Sequence, residues 1–576
     1  MAENGLSSLG RSEENILLGI EQVLRHFRHL KDFNTNIKRT TYNDAKNILL
    51  QRSKTLLGRP RAGRFTRIML TLDIDIAHQP LLLEELLKNG MDIARINCAY
   101  YTKVEWKMII NAIRNAEKRL MQRGQDIGRK CRVVMDLGGP KIRINSMELK
   151  NRPLKIKVPK DSHGRPIRIV EGLLDFDAKY TERINLTGVE YDFVISIAKR
   201  KEELSTLKVG DKIVFLDFRE RIRSMRILEI ISKNKIRVGI EKTILIQEGI
   251  KLYNEKDFNK ILRFEEKIDQ DITKQQVEVD QIDFEIGPIR PRPMDIEVKA
   301  GDKLWLYRKN IKGHPHSSDK PAGISCGVPE ILNNVLPGHR VLMDDGKIGS
   351  IVSSVNDEYL ELKIIYPSDI IGSIKSHKGL NFPDSNLNLS AITSEDIENL
   401  KFIVKYADTV AISFAHSPED IALLTKELQN LGHQDFGIIA KIETRVSIHN
   451  LARILLSGLN VTKFGVLIAR GDLAVEIGYE NLSQIQEDIL CLCNAAHIPV
   501  ILATQILETL SKSGLPTRSE IIDAARGQRA ECVMLNKGKY VNESVKILSI
   551  LLMTEERHNI KKRQIFKEFI EQKGIF

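Results

Sequence analysis

A short apolar run, Phe464 to Ala469, ends abruptly in Arg470, Gly471 and Asp472. A buried strand that delivers an arginine, a glycine and a carboxylate at its C-terminal end is the way barrel enzymes present chemistry. Upstream, G-I-I-A-K-I-E-T does the same with Lys441 and Glu443; downstream, P-V-I-L-A-T-Q does it with Thr504 and Gln505. Nearer the N-terminus, M-D-I-A-R-I-N ends in Arg95 and Asn97, and C-R-V-V-M-D-L brings Asp136, with Arg143 just beyond. Two neighbouring carboxylates, Glu443 and Asp472, can hold Mg²⁺ through oxygen and leave positions for water and substrate. Arginines and a lysine around such an ion form a clamp suited to a phosphoryl group, whose charge spreads over several oxygens. A helix opening at Gly471 would aim backbone N–H groups at an anion. Salt bridges rimming a barrel are the plainer account of any one residue. The whole set falling at strand ends favours an enzyme.

The elements that must position these groups follow from periodicity. From Arg67 to Asp136, three apolar strands alternate with helices of ten to fifteen residues, the pattern of a parallel sheet. The alternation stops at Gly138-Gly139-Pro140 and resumes near Thr393 with five more strands. Three and five make eight, the count that closes a (β/α)8 TIM barrel in an α/β chain. Residues 61–145 and 379–576 are the expected halves of that barrel. The interruption, 146–378, reads as a β-rich lid of tandem small barrels with an internal repeat, about 207–252 and 336–380. Gly210 matches Gly338 and Asp217 matches Asp345; a weaker third copy starts at Val298. Lys256 to Asp283 is charged and unpatterned, a linker or surface stretch. Residues 1–60 read as a helical segment with two amphipathic stripes, one around Ile16 to Leu24 and one over Tyr42 to Leu57. They serve either as packing on the adjacent domain or as a partner-binding arm.

The chain has 576 residues, 42% of them hydrophobic, with 88 basic and 76 acidic side chains. A net charge of +12 suits a solvated surface or an attraction for anionic ligands. No dense basic run with interleaved aromatics points to nucleic acid. Six scattered cysteines read as buried thiols in a reducing compartment. No apolar leader and no membrane-length window stand in the sequence, so a cytoplasmic protein is expected.

At the residues named above the chain resembles pyruvate kinase. G-M-D-I-A-R-I-N, D-L-G-G-P-K-I-R, A-K-I-E, A-R-G-D-L-A-V-E-I, A-T-Q-I-L-E and P-T-R-S-E are similar to its signatures. M-D-D-G-K-I and K-G-L-N-F-P resemble the ends of its inserted B domain. The resemblance implies transfer of phosphate from phosphoenolpyruvate to ADP, giving pyruvate and ATP. By that likeness Glu443 and Asp472 ligate Mg²⁺ (or Mn²⁺), and the Gly471 backbone receives the substrate carboxylate. Lys441 stabilises the phosphoryl group and the enolate oxygen, Arg95 neutralises the same phosphoryl, and Thr504 helps deliver the proton. Asn97, Arg143 and Lys378 stand on the nucleotide and phosphate side, Lys378 carried by the lid. Phosphoenolpyruvate and ADP are then the small-molecule partners, with no nucleic acid or membrane, in a homo-oligomer, a dimer being the expectation.

Several positions depart from the family pattern. The family holds a monovalent cation with an Asn, a Ser, an Asp and a Thr. Here Asn97 and Asp136 remain, but Ala99 and Leu137 replace the other two. Lys141 offers an ammonium where many members have Glu, so K⁺ independence is expected. Asp73 and Ile74 stand in place of a Gly-Pro pair near the nucleotide, and Tyr100 replaces a His. Asn536-Lys537-Gly538-Lys539 replaces a Ser-Gly-Glu-Thr; its lysines either face phosphates or form a solvated loop. Effector control through the family's regulatory C-terminal domain is expected to be missing. Two alternatives stay open beside the kinase: an Mg²⁺-dependent enzyme with another phosphoryl acceptor or with lyase activity on a 2-oxo acid, and a non-catalytic phosphoenolpyruvate sensor.

Overall fold

The structure, a computed structural model, describes residues 41–125, 127–161, 164–184, 191–200, 207–255, 258–259, 284–387 and 389–558. The stripe around Ile16 to Leu24 and most of the charged 256–283 segment lie outside the described residues.

Eight parallel strands close a barrel: β1 (Arg67–Thr71), β2 (Ile93–Asn97), β3 (Arg132–Asp136), β4 (Thr409–Ile412), β5 (Gly437–Ile442), β6 (Phe464–Ala469), β7 (Val500–Ala503) and β8 (Cys532–Leu535). Strand β8 returns to β1, with Cys532 opposite Arg67. Alternate residues serve opposite faces. Ile439, Leu467, Ala469, Ile501 and Ala503 join the inner core, whereas Ile438, Ala440, Val466, Ile468 and Leu502 join the outer core under the helices. Both faces are buried, which is why these strands are apolar apart from their ends and the charged side chains of the site.

Helix α1 (Tyr42–Leu57) begins at a capping box in which Asp44 N–H donates to Thr41 Oγ1 at 3.2 Å. Its last residues, Leu56 and Leu57, are members of the inner core. Leu56 reaches the barrel at the N-terminal ends of its strands. A Cβ on Gly465 would stand 2.4 Å from Leu56 Cδ2, so only glycine leaves room there. Of the two expectations for this helix, packing onto its own domain is what the structure contains.

Residues Ser146–Asp295 form a separate compact unit. In it, strand Phe284–Ile286 pairs with both Lys251–Asn254 and Phe193–Arg200, closing a small barrel around Phe193, Phe215, Ile236, Leu252 and Phe284. Residues 296–378 instead count with the large barrel's unit, as a six-stranded sheet from Ala322–Ser325 to Leu380–Asn381 with the pair Ile296–Val298 and Gly372–Ile374. The repeated sequence corresponds to repeated hairpins: Lys212–Leu216 with Ile222–Ser232, and Arg340–Met343 with Ile348–Val355. Among the described residues no helix is long and apolar enough to cross a membrane.

Candidate functional site

The C-terminal ends of the barrel strands bring the sequence-derived residues together. Arg95, near the end of β2, donates to Asp136 Oδ2 through Nη2 at 2.6 Å and Nε at 2.9 Å, and to Thr71 Oγ1 at 2.9 Å. Lys441 on β5 places Nζ 2.6 Å from Glu443 Oε1, 3.0 Å from Ser413 Oγ and 3.6 Å from Asp136 Oδ2. The second Glu443 oxygen accepts Phe414 N–H at 2.9 Å. Helix α2 (Arg470–Ile477) follows β6 directly and holds Asp472 in its first turn. Its Gly471 N–H donates to Thr504 Oγ1 at 2.8 Å, so the backbone group expected to meet a substrate carboxylate is hydrogen-bonded to the expected proton donor. Arg470 turns away, binding Asp523 at 2.8 Å and the Thr504 carbonyl at 2.8 Å, and steadies the end of β7.

The charges are coupled. Burial opposes ionisation of Asp136, yet Arg95 and Lys441 hold its carboxyl below the usual range. Burial likewise opposes the Lys441 ammonium, and Glu443 and Asp136 overcome it, so the lysine stays charged. Asp472 goes the other way: burial and then the Glu443 charge push it up to about 6, against the pull of Lys441 and Lys141. Several backbones here are left-handed without glycine, at Phe414 (φ 56°), Thr504 (φ 66°) and Gln505 (φ 59°). Such conformations cost about 1–3 kcal/mol each and cluster where side chains must be aimed.

A cavity of about 630 Å³ opens over this cluster, lined among others by Lys141, Arg143, Asp344, Asp345, Lys378 and Asp472. Asp472 joins the cavity to the buried group; Arg95, Lys441, Glu443 and Thr504 lie behind its lining. Lys378 pairs with Asp344 at 2.8 Å, and Arg143 donates to the His377 carbonyl at 3.3 Å. Asn97 folds its Oδ1 back onto Ala99 N–H at 3.0 Å.

The donor set fits a hard divalent cation. Glu443 and Asp472 offer carboxylate oxygens, and Asp472 borders the cavity, its ionisation opposed by burial and then by the Glu443 charge, both of which a bound cation would offset. The position beside Asp136 differs. Its charge is met by Arg95 and Lys441, whereas the exposed Lys141, beyond the Gly138-Gly139-Pro140 turn, acts on Asp472. Lys537 Nζ lies 3.5 Å from Asp73 Oδ2, so a lysine of the loop after β8 meets the aspartate that follows β1. Ser413 and Thr71, which orient Lys441 and Arg95, were not singled out from sequence. A lone hydroxyl after a strand carries no pattern, although Ser413 directly follows T-V-A-I.

The family model for the barrel domain of pyruvate kinase matches residues 249–545, just over half of the chain. The chain belongs to the pyruvate kinase family. The pyruvate kinase of Bacillus licheniformis is 33% identical over 288 residues, 48% of this chain and 47% of that protein. That of Candida albicans is 36% identical over 245 residues, 41% and 47% of the two chains. That of Methanocaldococcus jannaschii is 34% identical over 237 residues, 39% and 50%. The chain spans about half the length of the curated relatives it matches.

Within this pyruvate kinase-type site, Glu476 on α2 is buried and accepts Asn381 Nδ2 at 3.1 Å and a backbone hydrogen bond from Arg445. Burial, the largest influence, pushes its carboxyl up to about 7 from the ordinary glutamate range near 4.5. The folded state therefore holds the proton more tightly than the unfolded one. Stability falls as pH rises from about 4.5 to about 7, and the cost of the buried charge is complete above that. Glu476→Gln keeps the side chain's shape without the charge. It is expected to raise the melting temperature at pH 8, by the equivalent of about 2–3 kcal/mol, and to change little near pH 4.5. An equal melting temperature for both chains at pH 8 would count against a costly buried charge.

Proposed function

We propose that this barrel carries out Mg²⁺-dependent phosphoryl transfer from phosphoenolpyruvate to a nucleoside diphosphate, ADP first among them, releasing pyruvate. The observation that carries the proposal is the Lys441 ammonium, held charged between Glu443 and Asp136 and acting on Asp472, which lines a cavity that Lys141, Arg143 and Lys378 also line. Glu443 and Asp472 would hold the divalent ion, which when bound neutralises and orients phosphoryl and carboxylate oxygens. Lys441 and Arg95 supply fixed positive charge for the migrating phosphoryl group and for the enolate oxygen left when the P–O bond to the enol breaks. The acceptor oxygen forms the new P–O bond, and the enolate takes a proton at its methylene carbon to become pyruvate. Thr504, hydrogen-bonded to Gly471 N–H, is placed to pass that proton. Preorganisation is strong: each ammonium and guanidinium is already fixed by two or more partners.

The test is to incubate the purified chain with Mg²⁺, phosphoenolpyruvate and a panel of nucleoside diphosphates, and to follow pyruvate. Pyruvate formed with ADP supports the proposal; binding without turnover on any acceptor removes it in favour of a sensor. One observation favours a second reading with a different acceptor: the Asp73–Lys537 pair at the β1 tip, where the family has neither charge. Pyruvate formed only with another phosphoryl acceptor would select it.

K⁺ independence belongs to the same proposal. Arg95 and Lys441 supply the charge beside Asp136, Ala99 and Leu137 offer no side-chain oxygen, and Asn97 is bonded to Ala99. Replacing K⁺ by tetramethylammonium at constant ionic strength is expected to change the rate less than twofold. A tenfold or greater loss would show that a monovalent site survives.

A further inference from the structure

The unit Ser146–Asp295 contains a cavity of its own, about 270 Å³, far from ordinary in its charge. Among the described residues, six cationic side chains line it (Lys155, Lys160, Arg219, Arg221, Arg223 and Lys242) against one carboxylate, Asp217. The fold explains Asp217. It is buried, and it clamps the turn between strands Lys212–Leu216 and Ile222–Ser232 by accepting Arg219 N–H at 2.9 Å and Arg221 N–H at 3.1 Å. Its other oxygen lies 3.5 Å from Arg223 Nε. That single acid is therefore consumed by the turn and by Arg223. Among the described residues, no carboxylate forms an ion pair with Lys155, Lys160, Arg219, Arg221 or Lys242.

These five come from separate pieces of chain that the sheet holds together. Lys155 stands opposite Leu245 in the pair Leu154–Ile156 and Ile244–Ile246, and Phe218 N–H bonds the Leu245 carbonyl at 2.8 Å, docking the arginine turn on that pair. Cations gathered in one concavity repel one another, because salt screens charges effectively only beyond about 8–10 Å. An isolated basic side chain needs no explanation; five converging ones with their acid already engaged do.

The internal repeat adds an independent argument. At an offset of 128 residues, Asp217 corresponds to Asp345, and the turn that carries Arg219 and Arg221 corresponds to the turn that carries Asp344 and Asp345. In the second copy that turn lines the 630 Å³ cavity of the candidate active site. In the first copy the same turn again lines a cavity, with arginines added.

We propose that this cavity is a binding site for a small polyanion carrying two or more phosphoryl groups. Guanidinium forks suit phosphoryl oxygens, and lysines add compact point charges. The volume suits a small molecule, and among the described residues no aromatic side chain lines the cavity to stack a base, which disfavours single-stranded nucleic acid. The site stands independently of the reaction assigned to the large barrel.

Inorganic triphosphate serves as the probe, titrated calorimetrically into the full chain at constant ionic strength. The expected result is saturable binding of which one molar equivalent is lost, or weakened at least tenfold, in Arg219→Ser/Arg221→Ser. Lys160→Ser/Lys242→Ser, on other pieces of chain, should lose the same equivalent if the turn variant does not fold. Lys233→Ser/Lys251→Ser, exposed in the same unit but outside the cavity, should bind as the unaltered chain does. The absence of saturable binding, or unchanged binding in both cavity variants, overturns the assignment. So does tighter binding of a ten-nucleotide RNA that the same substitutions abolish, since it would make the cavity a nucleic-acid surface.

Discussion

Lys441→Met is expected to lower the rate of pyruvate formation by about 10³-fold while phosphoenolpyruvate still binds. Removal of one preorganised charged contact to a transition state costs on the order of 10²–10³ in rate. Lys441 sits at the upper end because its ammonium reaches Glu443, Ser413 and Asp136 at once. No neighbour can swing in to replace it: Arg95 is bound by Asp136 and Thr71, and Lys141 acts on Asp472 from the exposed side. Ground-state binding should survive, since Arg143, Lys378 and Lys141 still border the cavity. A second consequence separates electrostatics from misfolding. The ammonium competes with a divalent ion for Glu443 Oε1, so the folded variant should bind Mg²⁺ no more weakly than the parent. Stability must be measured in parallel, because the substitution strips a buried carboxylate of its cation. A folded Lys441→Met chain with undiminished turnover would end the assignment of chemistry to this cluster.

Much of this architecture is legible in the sequence because its physics is local. Strands β1 to β8 are buried on both faces, so they read as short apolar runs, and in β2, β3, β5 and β6 a charged residue near or just beyond the C-terminal end marks the rim. That is why Arg95, Asp136, Lys441, Glu443 and Asp472 could be named together. What stays hidden depends on partners far apart in the chain. Lys537 meets Asp73 across 464 positions, and Leu56 crowds Gly465 only once α1 is seated against the barrel. The charge that Lys141 exerts on Asp472 is likewise a matter of partners distant in the chain, 331 positions apart. The division after Asp295 is equally silent, because short strands with glycine turns continue on both sides of it.

The largest loss of stability is expected from Asp92→Ala, at the opposite end of β2 from Arg95. Asp92 is 1% exposed and is the hub of a buried network. Its Oδ2 accepts Arg64 and Ile68 N–H, the latter at 2.9 Å; its Oδ1 accepts Arg129 Nε at 2.8 Å and Arg61 N–H at 3.1 Å. Arg64 and Arg129 are themselves fastened to the Gly90 and Leu87 carbonyls, at 2.7 Å and 3.0 Å, and cannot reach solvent without dismantling the loop before β2. Truncation therefore leaves two guanidinium groups buried beside a small cavity. Breaking a buried pair in this way costs about 3–5 kcal/mol, far more than the pair contributes relative to an apolar replacement. Asp92→Asn, which keeps an acceptor oxygen but no charge, should fall between the two. Because the network lies at the N-terminal end of the barrel, the rate per folded molecule should be unchanged in both variants. Denaturant unfolding followed by fluorescence, with turnover measured on the folded fraction, checks both halves. Wild-type stability in Asp92→Ala would mean that the arginines find other partners, and a selective loss of turnover would mean that the two ends of β2 are coupled.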